Sequence, residues 1–114
     1  MRFRFPLGSN SEAFELDRNS QVAAWVKNDH WSFEILYLFK GAFLKYRPDY
    51  LVRLTNGRML VLEVKGQESQ QDRTKREFLS EWVKAVNAHG GFGAWACDVA
   101  FSPADLPGIL KKHN

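Results

Sequence analysis

The fold is decided by one stretch of the chain, residues 46–66, which read YRPDYLVRLTNGRMLVLEVKG. Asn56-Gly57 near its centre is the strongest short signal for a β-hairpin. After this turn, Met59 to Val64 is almost continuously apolar, which is typical of a strand covered on both faces. The stretch therefore predicts two antiparallel strands, the second of which is the central strand of a sheet.

The chain before this hairpin is predicted to begin with helices. Residues 1–10 contain proline and glycine and are interpreted as a lead-in. Ser11 is a suitable N-cap for a short helix that opens at Glu12. The apolar residues of 22–29 fall at helical spacing, which predicts a second helical piece after Asn19-Ser20.

The strands are predicted from a change of period. Every second residue from Phe33 to Phe39 is apolar, and polar residues (Ser32, Glu34 and Lys40) fall between or beside them, which indicates a half-buried strand. A second strand follows over 43–54, with a bend or bulge at Pro48 because proline cannot donate to a β-ladder. These two strands and the apolar run over 59–64 are predicted to form a meander.

The last third of the chain predicts a long helix, a strand and a short helix. Ser69 and Asp72 have the spacing of a capping box, and the helix that follows ends at Gly90-Gly91. A strand is predicted over 92–101 and a helix over 103–112. The expected order is α, β, β, β, α, β, an α/β (α+β) mixed sheet with helices packed on it. The core-facing stripe of the long helix consists of Phe78, Leu79, Trp82, Val83 and Val86.

Composition limits the classes of protein to consider. With 114 residues, 45% hydrophobic and 25% charged, the chain is expected to form one globular domain over residues 1–114. No apolar run approaches the roughly 20 residues of a membrane span, and no signal peptide is evident, so a cytoplasmic protein is expected. The single cysteine, Cys97, makes neither an internal disulfide nor a zinc site alone. A net charge of +3 permits a nucleic-acid partner without establishing one.

The chemistry is expected where a carboxylate interrupts the apolar strand. Glu63 and Lys65 are two residues apart, so their side chains project from the same face. Asp49 lies almost as far before the turn as Glu63 lies after it, which places the two carboxylates nearly opposite each other. Like charges in that arrangement make sense around a divalent cation such as Mg²⁺. The plainer interpretation is that Glu63 only pairs with Lys65.

The spacing of Pro48-Asp49 and Glu63-Val64-Lys65 resembles the motif of the PD-(D/E)xK nuclease superfamily. Further blocks are similar to the endonuclease domain of type III restriction enzyme Res subunits and related helicase-nuclease fusions, and the resemblance covers residues 12–100. It implies a restriction-endonuclease-like αβββαβ core with a central four-stranded sheet flanked by helices. The blocks are WVKN (25–28), YRPDYLVRL (46–54), LVLEVKG (60–66), WVKAVN (82–87) and GFGAW (91–95).

The resemblance implies a Mg²⁺-dependent DNA endonuclease, with Mn²⁺ as a substitute metal. Carried over, Asp49 and Glu63 are the metal ligands and Lys65 supports the attacking water. The family often adds a glutamate from the first helix; Ser9 stands near that position, so Glu12 is the substitute candidate, with Glu15 second.

Other residues are predicted from their positions alone. Lys75 lies on the core-facing stripe of the long helix, from which its amine could reach the sheet end near Glu63. Gln67 follows the ExK strand closely, and Arg47 and Arg58 flank the site strands, so these three are candidates for contacts with nucleic acid.

The expected partners follow from what the chain contains. It has no phosphate-binding GxxxxGK[ST] loop, so the resemblance implies targeting by a helicase or methyltransferase subunit or domain. Cutting both strands of DNA needs two active sites, which favours a homodimer. Two alternatives stay open, a catalytically silent DNA-binding module of the same fold and an RNA-directed nuclease.

Overall fold

The computed structural model describes residues 11–28 and 33–114; the predicted lead-in, residues 1–10, lies outside them. The described chain forms helices on both faces of a sheet. A single 3₁₀ turn, Pro103–Asp105, precedes the last helix. In chain order the elements are α1 (Ser11–Arg18), β1 (Val22–Lys27), β2 (Ile35–Phe39), β3 (Ala42–Tyr46), β4 (Tyr50–Leu54), β5 (Met59–Val64), α2 (Gln70–His89), β6 (Trp95–Ala100) and α3 (Leu106–His113).

The central sheet has four strands in the order β1-β4-β5-β6. Strand β4 is antiparallel to both β1 and β5, whereas β6 is parallel to β5. Strands β2 and β3 form a separate two-stranded antiparallel sheet, the β2–β3 hairpin. The predicted mixed sheet with flanking helices is therefore confirmed, and β5 is an internal strand as its apolar run indicated.

The two faces of the sheet bury different sets of residues. On one face, Ala13 and Leu16 of α1 and Leu106 of α3 pack against alternate residues of β4 and β5 such as Leu62. On the other face, α2 and the inner side of the β2–β3 hairpin cover Leu51 and Val61; the residues that do so are Ile35, Tyr37, Tyr46, Leu79 and Val83. Because side chains alternate along β5, Glu63 projects to the same face as Val61.

The predicted helical piece over 22–29 is wrong, because Val22–Lys27 form strand β1; residue 29 lies outside the described residues. The reason lies in a β-bulge. Val22 pairs with Leu54 but Ala24 pairs with Arg53, so the strand carries one extra residue between them. The extra residue of a bulge shifts the alternation of side chains, so that two residues on the same face lie three positions apart instead of two. Val22 and Trp25 therefore both reach the same core, at a spacing that resembles a helix.

The predicted strand over 43–54 is divided at Pro48, where a bend or bulge was expected, into β3 and β4, and the predicted meander is wrong. Pro48 and Asp49 separate β3 from β4, and the two strands belong to different sheets. Proline lacks the N–H group that a continuous ladder would use. The neighbour of β4 in the central sheet is β1 rather than the strand over 33–39.

The ends of the later elements are close to the prediction. Ser69 and Asp72 form the predicted capping box at the start of α2, and Gly90 ends that helix with φ 77°. Strand β6 is shorter than predicted because Gly91 and Gly93 adopt positive φ angles of 88° and 77° before it. Within the described residues, no helix has the length and the apolar character that a bilayer crossing requires.

Candidate active site

Glu63 is the only buried charged residue among those that the structure describes, with 2% of its surface exposed. It lies near the end of β5, where it pairs with Val99 of β6. Its Oε1 atom is buried and accepts no hydrogen bond from the described residues. A buried carboxylate oxygen without a donor is costly, so this position calls for a compensating partner.

Asp49 lies opposite Glu63. The register of β4 and β5 pairs Tyr50 with Leu62, and its continuation by one residue places Asp49 against Glu63, as predicted. Asp49 Oδ2 accepts a hydrogen bond of 2.7 Å from the backbone N–H of Val64. This bond holds the aspartate against the end of β5 where the ladder itself has stopped.

A buried asparagine fixes the loop that carries Asp49. The backbone N–H of Asn28 donates to the Asp49 carbonyl at 2.9 Å, and its side-chain amide donates to the carbonyl of Pro48 at 3.0 Å. The same amide donates to the carbonyl of Phe33 at 2.9 Å. The end of β1 therefore positions the loop before β4. Sequence reasoning missed Asn28 as a site residue, although it closes the WVKN block.

The environment of Glu63 opposes its ionisation. Its pKa is raised from the ordinary 4.5 to about 7, first by burial and then by the negative charge of Asp49. Lys65 and Lys75 lower the pKa, as does a hydrogen bond from the Asp49 backbone, but they do not outweigh the burial. Perturbed carboxylates of this kind are common at functional sites.

Two lysines and an aspartate complete the charged cluster. Lys65 Nζ lies 4.0 Å from Glu63 Oε2 and 3.4 Å from Asp72 Oδ1. Lys75 Nζ lies 4.0 Å from the same Asp72 oxygen. Hydrogen bonds from Ser69 hold the pKa of Asp72 below its usual range, so the residue stays ionised between the two amines. Sequence reasoning assigned Asp72 only to the capping box, since nothing in the sequence shows that its second oxygen faces the sheet.

Two tyrosines of the β2–β3 hairpin line the site on the side of α2. The Lys75 amine lies 5.8 Å and 5.6 Å from the ring centroids of Tyr37 and Tyr46, within cation–π range. The Tyr46 hydroxyl donates to the Lys75 carbonyl at 3.1 Å. Burial and then the charge of Glu63 raise the pKa of Tyr46, so this hydroxyl stays protonated.

The other predicted site residues lie at different distances from this cluster. Gln67 is exposed just after β5, and Arg47 is exposed just before Pro48-Asp49, with its Nε 3.7 Å from Glu34 Oε2. Arg58 lies at the opposite end of β5 and donates to the carbonyl of His113 at 3.2 Å. Glu12 belongs to α1, which packs on the face of the sheet away from Glu63. Arg58 and Glu12 therefore stay predictions without a described contact to the carboxylates.

The carboxylates of Glu63 and Asp49 have the ligand chemistry that a hard divalent cation requires. A buried glutamate oxygen lacks a donor, and a second carboxylate lies across the strand pair, which is the oxygen chemistry that Mg²⁺ prefers. No group of three or more His, Cys, Asp or Glu residues comes together as potential metal ligands in the described parts of the chain. A cation here would thus have two protein carboxylates, and Mg²⁺ commonly takes one or two.

Comparison of the chain with protein-family models, with curated protein sequences and with solved structures gave no match.

Proposed function

We propose that this domain is a Mg²⁺-dependent endonuclease of the PD-(D/E)xK type, which hydrolyses phosphodiester bonds in DNA. One observation carries the proposal. Glu63 is buried, lacks a donor to one oxygen and lies opposite Asp49. The fold gains no stability from this arrangement, because two facing carboxylates repel each other and burial penalises their charge. A catalytic metal site explains why the pair is there.

The arrangement of elements supports the same proposal. Without the β2–β3 hairpin, the described elements follow the order α, β, β, β, α, β up to β6. The sheet order β1-β4-β5-β6 places Glu63 on one central strand and Asp49 directly before the other. This order is compatible with the core that the resemblance implies, in which the hairpin would be an insertion between the first two strands of the sheet.

Asp49 and Glu63 would hold the cation, which polarises the scissile phosphate and lowers the pKa of a bound water. Asn28 and the Val64 N–H group orient Asp49 before any substrate arrives. Lys65 Nζ projects beside Glu63, where it donates to the attacking water and offsets negative charge on the phosphate. Asp72 sets the position of this amine from the opposite side.

A cleavage assay tests the proposal. Plasmid DNA and a structured RNA are incubated with the protein in Mg²⁺, in Mn²⁺ and in EDTA. We expect nicking of DNA with either metal and none in EDTA, and Asp49→Ala should abolish the activity. Metal-dependent cleavage of RNA alone would replace DNA with RNA as the substrate. Binding of DNA without cleavage under all three conditions would contradict the proposal and favour the silent binding module.

The assay also bears on the partners. The helicase or methyltransferase subunit and the homodimer stay proposals, and they predict a specific dependence. If a second copy is needed to cut the second strand, linearisation should rise more steeply than nicking with protein concentration.

A further inference from the structure

The β2–β3 hairpin has an outer face that nothing in the described chain covers. Side chains alternate along both strands, so Ile35, Tyr37 and Tyr46 point inward. Leu36 and Leu38 point outward with 55% and 42% of their surface exposed, and Phe43 is 72% exposed. Leu38 pairs with Phe43 across the hairpin. Contiguous exposed apolar side chains, unlike singly scattered ones, mark a candidate binding surface.

The charges around this outer face are mainly positive. Lys45 pairs with Leu36 and is exposed. By continuation of the same register, Arg47 lies opposite Glu34, and their side chains form an ion pair of 3.7 Å. One carboxylate therefore accompanies two cations on the outer face, and Lys40 adds a third cation at the turn.

The outer face is connected to the candidate active site through the chain. Phe43, Lys45 and Arg47 alternate along one side of the chain that continues into Pro48-Asp49. At about 3.3 Å per residue, the path from Phe43 to Asp49 would be at most roughly 20 Å, the length of a few nucleotides of extended strand. The inner face of the same hairpin contacts Lys75 through Tyr46, so the hairpin is attached to the site on its other side.

We infer that the outer face of the β2–β3 hairpin binds single-stranded nucleic acid and guides it to Asp49 and Glu63, an inference that rests on the proposed nuclease function. Phe43 stacks on a base, and Lys45 and Arg47 contact phosphates. Aromatic side chains interspersed with cations are the usual means of holding a single strand. A second copy of the chain fits this face less well, because a two-fold contact would bring the cations of both copies together.

Binding measured in EDTA tests the inference without cleavage. The probe is a fluorescein-labelled oligothymidylate of about 12 nucleotides, within the range that single-strand sites cover, and fluorescence anisotropy gives Kd. Phe43→Ala should weaken binding about tenfold, the loss of one stacked base. The matched control is Phe92→Ala, since Phe92 is 60% exposed in the loop before β6 and should leave Kd unchanged.

A salt series tests the phosphate contacts. Lys45→Ala should reduce the slope of log Kd against log salt concentration by about 0.7, the value for one phosphate of a single strand. Lys84→Ala is the control, because Lys84 is an exposed lysine of α2 that pairs with Glu81. Melting curves of all variants establish that they are folded.

The outcomes separate this inference from the proposed function. Three results would overturn the inference about the hairpin. They are equal Kd values for Phe43→Ala and Phe92→Ala, tighter binding of a duplex of the same length, and no binding at all. Sedimentation in which Phe43→Ala dissociates a dimer while Kd stays the same would also overturn it and assign the face to a second copy. If binding in EDTA depends on Phe43 but the wild type does not cleave in Mg²⁺, the proposed nuclease function is contradicted instead.

Discussion

Glu63 occupies the most unfavourable position of any charged residue in the described chain. An ionised carboxylate in an apolar strand costs several kcal/mol unless a partner compensates it. The nearest amine, that of Lys65, lies 4.0 Å from it and closer to Asp72, so the compensation is incomplete. Selection for stability alone would replace this glutamate, which is why we propose a chemical role for it.

Lys65→Ala separates metal binding from catalysis. Lysine is not a metal ligand, so we expect the variant to bind Mg²⁺ with nearly the affinity of the wild type. Cleavage should fall by roughly two to four orders of magnitude, as for loss of a group that acts on the reacting atoms. Calorimetric titration with Mg²⁺ and a nicking assay give the two quantities, with Lys84→Ala as the control. An equal loss of Mg²⁺ affinity in Lys65→Ala and Asp49→Ala would contradict these roles.

The sequence was sufficient to place the two carboxylates but not their supporting residues. The hairpin turn at Asn56-Gly57 sets the register, and the register places Asp49 opposite Glu63. Asn28 could not be assigned in this way, because it reaches Pro48 from a separate strand. Such a contact depends on how β1 pairs with β4, and the sequence of a single segment does not indicate that pairing.

At two secondary-structure elements, β1 and the chain around Pro48, the local sequence pattern led to a wrong prediction. In β1 the bulge between Val22 and Ala24 produces helical spacing, so tertiary pairing overrode the apparent period. At Pro48 the alternation continues in sequence although the chain passes from one sheet to another. The capped helix α2 and the hairpin of β4 and β5 were predictable because their signals are local.

The bond between β1 and the loop before β4 gives a prediction for Asn28→Ala. The variant leaves the buried carbonyl of Pro48 and that of Phe33 without the amide donor, which should lower the free energy of unfolding by about 2 kcal/mol. Cleavage should also fall, because Asp49 loses its fixed position. Chemical denaturation and the nicking assay check both effects.

Asn87→Ala is a matched control for this variant. The Asn87 side chain also bonds to the backbone, at Trp95, but it is exposed and lies away from the carboxylates. We expect a smaller loss of stability and unchanged cleavage. Cleavage that falls equally in both variants would show that Asn28 acts through general stability rather than by positioning Asp49.

The stability of the whole domain should depend on pH through the buried carboxylate. The pKa of Glu63 is about 7 in the folded protein and 4.5 when unperturbed. The folded state therefore binds more protons between these values, and the free energy of unfolding falls as the pH rises from about 4.5 to 7. At about 1.4 kcal/mol per pKa unit, the loss is roughly 3 kcal/mol at most. Above pH 7 this contribution is constant.

Asp49→Asn tests this account of the fold together with the metal site. The amide oxygen can still accept from the Val64 N–H group, while removal of the charge lowers the pKa of Glu63. In EDTA at pH 8 the variant should therefore be more stable than the wild type, by on the order of 1 kcal/mol. Mg²⁺ should raise the melting temperature of the wild type by mass action and leave that of the variant almost unchanged. Melting curves of both proteins with EDTA and with Mg²⁺ give the four values. A lower melting temperature of Asp49→Asn in EDTA would mean that the charge of Asp49 stabilises the fold, and the energetic argument for a metal ligand at this position would fail.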